Sequence, residues 1–186
     1  MNFSNKLILC SLMAFHSTAY CAPYLSGQIG ATTVTTNVNT PYSSFTSDKT
    51  ALLTRLAVGY MWENNASLQY GIEAGYENLH RVKQSYQQIV LEGRQYQIDT
   101  VGVIDYFFCK RWDVFAKAGV AYTKRTVSAN YPAAFYSGAY DRFAPKAVVG
   151  VGYNLTNHVN LNLSLENNFK NVSPERDLLA GIKYTF

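Results

Sequence analysis

The chain is poor in charge, in tryptophan and in cysteine, and past its first two dozen residues it has no long apolar run. Charged residues make up 15% of it, against a typical ~25% for a globular domain. No stretch after residue 22 approaches the roughly 20 apolar residues that a membrane-spanning helix needs, so a helical span is excluded. No segment there carries a useful length of 3.6-residue periodicity. Of three cysteines, Cys10 and Cys21 fall in or at the edge of the N-terminal segment. Cys109 is left alone and cannot form an intrachain disulfide. There is no HExxH, no glycine-rich phosphate loop and no Cys/His metal spacing, so neither a metal nor a cofactor is expected. The net charge of +4 comes without a basic cluster interleaved with aromatics, which gives no case for nucleic-acid binding.

The N-terminal segment reads as a secretory signal peptide over residues 1–22. Lys6 supplies the positive region, residues 7–15 form a short apolar core, and Ser17-Thr18-Ala19 offers a small-x-small cleavage site. A second site follows Ala22. The remaining chain, residues 23–186, is roughly 160–165 residues long and fits one domain.

That domain is rich in tyrosine, with 15 Tyr against 2 Trp, and it alternates. Eight segments with period two are expected to be strands: 24–33, 52–62, 66–78, 94–108, 114–124, 143–154, 159–169 and 177–186. In the second, Leu52, Leu56, Val58, Tyr60 and Trp62 share one face, and Leu53, Arg55, Ala57, Gly59 and Met61 the other. In the third, Leu68, Tyr70, Ile72 and Tyr76 oppose Gly71, Glu73, Gly75 and Glu77. Each strand repeats the rule of aliphatics with terminal aromatics on one face, and small or polar residues on the other. A soluble barrel would turn the apolar face inward. Here the small, glycine-rich polar face suits a narrow lumen, while the apolar face suits lipid with aromatics at both rims. The expected fold is all-β: an eight-stranded antiparallel up-and-down transmembrane β-barrel.

The connections fit that arrangement. Short turns at 63–65, 110–113 and 155–158 alternate with long segments at 34–51, 79–93, 125–142 and 170–176. Short periplasmic turns opposite long external loops are the habit of outer-membrane barrels. The chain also ends in an apolar face made of Leu178, Ala180, Ile182, Tyr184 and Phe186. Left as an edge, such a strand invites aggregation; in a barrel it closes onto the first strand.

At this point the chain resembles the OmpA-like and opacity-type eight-stranded outer-membrane barrels. Residues 70–76, with Glu73 before Gly75-Tyr76, are similar to an OmpA strand with an inward glutamate. Residues 112–119, with Lys117 before Gly119, are similar to a strand with an inward basic residue. The end, with Gly181, Ile182, Tyr184 and Phe186, looks like the family's insertion signal, read by the outer-membrane assembly machinery. The family's second interior pair falls at Gly152 and Asn162, so the resemblance does not carry that pair over. The location implied is the Gram-negative outer membrane.

Eight charges are expected inside: Arg55, Lys117, Lys146 and Lys183 against Glu73, Asp99, Asp105 and Glu166. Equal and opposite charge in a narrow lumen should pair, because isolated buried charge is costly. A Glu73–Lys117 contact is expected at the centre. Three function classes remain. In the first, a non-enzymatic barrel acts through its loops in structure, adhesion or host contact, and Tyr131, Phe135, Tyr136 and Tyr140 are the contact residues. The second is a narrow ion channel. The third is a lipid A-modifying enzyme, for which His80 and His158 are the available histidines, with no motif around either. Arg81, Lys83, Arg94, Lys124, Arg125, Arg142 and Arg176 gather near the expected outer rim, where lipopolysaccharide presents phosphates that such groups can pair with. The expected partners are outer-membrane lipid and lipopolysaccharide, the assembly machinery, and a host or surface ligand.

Overall fold

The computed structural model describes residues 21–40, 43–65, 67–86, 89–131, 134–169 and 175–186. The segment read as a signal peptide lies outside them up to residue 20. Eight strands run in chain order: β1 (Cys21–Thr40), β2 (Ser43–Asn65), β3 (Leu68–Tyr86), β4 (Ile89–Phe107), β5 (Trp112–Tyr131), β6 (Ala134–Asn154), β7 (Val159–Asn168) and β8 (Glu175–Thr185). Each pairs antiparallel with its neighbour, and β1 pairs with β8, so the sheet is a closed barrel. Closure places the backbone donors and acceptors of every strand in ladders, which a span through hydrocarbon requires.

Side-chain parity follows the alternation in the sequence. Leu56, Val149 and Leu165 are exposed on the outside, while Leu53, Val101 and Leu179 are buried inside. The outer aromatics fall in two belts. Tyr96 and Tyr106, Trp112 and Tyr122, and Phe143 and Tyr153 are each ten residues apart on their strands. At ~3.3 Å per residue and a tilt near 40°, that spacing corresponds to a band roughly 25 Å tall. Around the end with the tight turns, Trp62 stacks on Tyr70 at 5.8 Å and Trp112 meets Tyr153 edge-on at 4.9 Å. At the other level, Tyr76 stacks on Tyr96 at 6.4 Å and Tyr122 tilts against Phe143 at 5.0 Å.

The long loops expected over 34–51, 79–93 and 125–142 are for the most part strand. β1 pairs with β2 up to Thr40 and Ser43, β3 with β4 up to Tyr86 and Ile89, and β5 with β6 up to Tyr131 and Ala134. Ladder hydrogen bonds need no apolar alternation, so these extensions are invisible to a periodicity reading. By contrast β7 and β8 have 10 and 11 residues, close to the minimum that crosses a bilayer. The wall is therefore low at β7–β8. On either side of it rise a β1–β2 ribbon and a four-stranded β3–β6 wall. Above Leu53 and Leu79, β2 and β3 share no register.

Candidate functional site

The barrel axis is filled with charge. Arg55 on β2 donates from Nη1 to Glu73 Oε1 on β3 at 2.9 Å, and from Nη2 to Asp99 Oδ1 on β4 at 2.7 Å. Lys117 on β5 reaches across the lumen to Glu73, 2.7 Å from Oε2 and 2.9 Å from Oε1. Lys146 on β6 meets Asp99 Oδ2 at 2.7 Å and Glu77 Oε2 at 3.2 Å, and it also pairs with Glu166 on β7. These seven groups form one connected network. β1 joins it through Gln28, whose Oε1 accepts from Arg55 at 3.4 Å and whose Nε2 donates to Asn162 Oδ1 on β7 at 2.9 Å. Nearer the tight turns, Lys183 on β8 contacts Asp105 on β4 at 2.9 Å. In the same region Asn160 donates to Asp113 Oδ1 at 2.7 Å.

Glycine makes room for this layer. A Cβ at Gly75 would run into the guanidinium of Arg55 and the carboxylate of Asp99, and one at Gly59 would overlap the ring of Tyr24. Tyr24 uses the space to donate its hydroxyl to Glu73 Oε2 at 2.7 Å. Below the network, a cavity of about 20 Å³ is lined by Tyr24, Glu73, Asp105, Lys117 and Lys183 among others. It is polar and has room for about one water. Charges this deep are held by geometry. Arg55 and Lys146 side chains are 1% and 0% exposed, and each is met by at least two carboxylates, as buried charge demands.

All eight interior residues expected from the sequence lie in the lumen, in two groups. The expected equality of charge does not hold. Among the described residues the buried carboxylates number seven, because Glu77, Asp113 and Asp177 join Glu73, Asp99, Asp105 and Glu166. The opposing cations are Arg55 and Lys146, with Lys117 and Lys183 partly buried. Glu77 has the inward parity of Glu73 and Gly75 and adds to the expected set. Asp113 and Asp177 stand at strand ends, where the extent of the buried stretch is hardest to assign.

At the end of the chain, Ile182 and Tyr184 face outward, Gly181 lies against Gln28 and Gly27 of β1, and Phe186 N donates to Pro23 O at 3.1 Å. Tyr184 and Phe186 rings meet edge-on at 5.1 Å. Tyr131, Phe135, Tyr136 and Tyr140 belong to β5 and β6 by backbone, but their side chains lie outside the described residues, as do those of His80, Arg81 and Lys83. Arg94, Lys124, Arg142 and Arg176 are exposed and Arg125 is half-buried. His158 sits in the β6–β7 turn with Nδ1 2.9 Å from Thr185 O.

Comparison with known proteins agrees with this architecture. Residues 7–186 match the family described as outer membrane protein beta-barrel domain. Ail, the attachment invasion locus protein of Yersinia pestis, solved in complex with the heparin analogue sucrose octasulfate, superimposes with a TM-score of 0.61 at 12% identity, covering 89% of this chain and 98% of that one. Neisserial surface protein A gives 0.57 at 14% identity over 89% and 97%. The N-terminal β-barrel domain of Pseudomonas aeruginosa OprF gives 0.59 at 13% over 88% and 97%. At such identities the likeness concerns the fold. No curated protein matches the sequence.

Proposed function

Since the chain belongs to the outer membrane protein β-barrel domain family and resides in the Gram-negative outer membrane, we propose that it is a non-enzymatic scaffold whose hairpin end serves surface recognition. The observation that carries this reading is the division of the barrel into a filled lumen and raised ribbons. The Arg55–Glu73–Asp99–Lys146 network ties β2, β3, β4 and β6 together across the axis. An ion would have to break pairs that cost several kcal/mol each to leave open. That argues against a conducting pore. Three strand pairs meanwhile continue past the outer aromatic belt, which is more backbone than a bilayer crossing uses.

His158 offers little to an enzyme reading. It is exposed at the tight-turn end, its Nδ1 is engaged with Thr185 O, and its ring stacks on Tyr184 at 6.1 Å. That is the role of a turn residue holding the last strand.

The ligand class is best sought among sulfated or phosphorylated polymers. Arg94, Lys124, Arg142 and Arg176 are exposed near the outer rim, and clustered cations bind such groups in a salt-dependent way. The Ail structure with a sulfated heparin analogue supplies a probe. The test uses whole cells expressing the protein intact, with residues 34–50 and 126–141 each replaced by a short Gly/Asn turn, or with Arg94, Lys124, Arg142 and Arg176 changed to Gln. Heparin-coated surfaces and cultured host cells are the targets. Loss of heparin binding in the Gln variant and of cell binding in the trimmed variants, at equal surface levels, supports recognition by the hairpin end. Unchanged binding in all variants, or planar-bilayer conductance from the intact protein, would replace this reading with another.

A further inference from the structure

We infer that the outermost acidic layer of the lumen is a binding site for one hard divalent cation of the calcium class, held by Glu77, Glu166 and Asp177 with the side-chain carbonyl of Asn168. The three carboxylates come from β3, β7 and β8, and all are buried. One oxygen from each lies within 4.8 Å of the others. An all-oxygen set of three carboxylates suits a hard divalent cation, and calcium takes such ligands in flexible geometry at about 2.3–2.6 Å.

Asn168 is a separate observation. It is fully buried, and neither Nδ2 nor Oδ1 has a hydrogen-bond partner among the described residues. A buried amide left so forfeits the hydrogen bonds it would make to water. It stands two positions along β7 from Glu166 on the same inward face, and its ladder partner is Lys146, whose ammonium already touches Glu77 and Glu166. Asn168 thus stands on the same inward face as Glu166, and its amide carbonyl is a neutral oxygen of the kind calcium accepts.

Lys146 takes one side of Glu77 and of Glu166, and each carboxylate keeps further lone pairs for an ion. The layer also lies at the top of the short β7–β8 wall, where Glu166 pairs with Asp177 and Asn168 with Glu175. Among the described residues it is the buried acidic layer nearest the hairpin end.

The test uses the whole barrel, folded in detergent free of lipopolysaccharide so that lipid phosphates cannot bind the ion. Terbium luminescence excited through tyrosine, calorimetric titration with CaCl₂, and thermal unfolding in CaCl₂ against EDTA are the measurements. The expected result is one saturable site per chain and a raised unfolding temperature in calcium. Asp177→Asn should weaken binding at least tenfold, and Asn168→Ala several-fold. Asn168→Asp keeps the side-chain volume, adds a charged ligand, and should tighten binding even if Asp177→Asn folds poorly. Asp141→Asn, at the outer belt where Asp141 accepts from Tyr122 at 2.7 Å, should change nothing. No saturable binding at about 10 mM calcium, tenfold above the weakest extracellular calcium modules, would overturn the site. So would binding that all of these Asp177 and Asn168 variants leave intact, because the ion would then lie elsewhere. Proton retention by the same carboxylates is the rival, and it predicts proton uptake with no calcium dependence.

Discussion

Arg55 and Asp99 meet at 2.7 Å with 1% and 0% of their side chains exposed, and Arg55 also holds Glu73 at 2.9 Å. The contact joins β2 to β4 past the intervening β3, so it braces the cross-section rather than one ladder. Replacing Arg55 by Met keeps the bulk and removes the charge. Asp99 and Glu73 then lose a buried partner, at a cost of about 3–5 kcal/mol. Urea unfolding of the folded barrel should show that loss. Arg55→Met combined with Asp99→Asn should recover part of it. A loss below 1 kcal/mol for the single variant would mean that water or Lys146 can take the place of Arg55.

Gly75 gives a steric test of the same layer. Gly75→Val places a branched side chain where the guanidinium lies and should cut the yield of folded barrel sharply. Gly102, whose nearest neighbour to an added Cβ is Ala118 O at 3.8 Å, should accept alanine with no loss. Heat-modifiable mobility on a gel, which separates folded from unfolded barrels, reads both.

The lipid face is tested by charge at two depths. Val149 lies between Phe143 and Tyr153 on β6, near the middle of the band, and is 58% exposed. Val149→Arg should cost about 2–4 kcal/mol in a bilayer, as arginine does at the midplane. Leu155, 55% exposed in the β6–β7 turn, should accept arginine for about 0–1 kcal/mol. Equal costs at the two sites would contradict the assignment of this face to lipid.

Deleting Phe186 separates assembly from stability. It removes one backbone bond to Pro23 and one edge-on ring contact with Tyr184, worth about 0.5–1.5 kcal/mol each. Folding in detergent should therefore survive. If the last strand is the segment the assembly machinery reads, outer-membrane levels in cells should fall far more than that small energy explains. Parallel losses in both assays would leave Phe186 a merely structural residue.

Much of this was legible in the sequence, because period-two alternation and face chemistry depend on the same residues. Arg55, Glu73, Lys117 and Lys146 can be assigned to the lumen by parity alone. The hairpin extensions could not be read in that way. Around Thr35-Thr36-Asn37 both strand faces are polar, and the backbone ladder that forms there leaves no mark on composition. The acidic surplus was missed for another reason. Asp113 shares the parity of Lys117 and Asp177 that of Lys183, but both sit where a strand begins, and whether the buried stretch already includes them depends on a boundary that alternation places only to within a few residues. Asn168 had no reason to stand out until its burial was known.

The seam that closes the barrel pairs Tyr24 through Thr32 with Asp177 through Thr185. It ends below the point at which β1 continues into its ribbon with β2. The residues that must be right for insertion are therefore different from the residues that meet the outside world. Substitutions above Thr33 leave the closing ladder untouched, while those within the seam act at once on closure and on the interior contacts of Gln28 and Lys183. Two rates of change along a single strand are what the register implies.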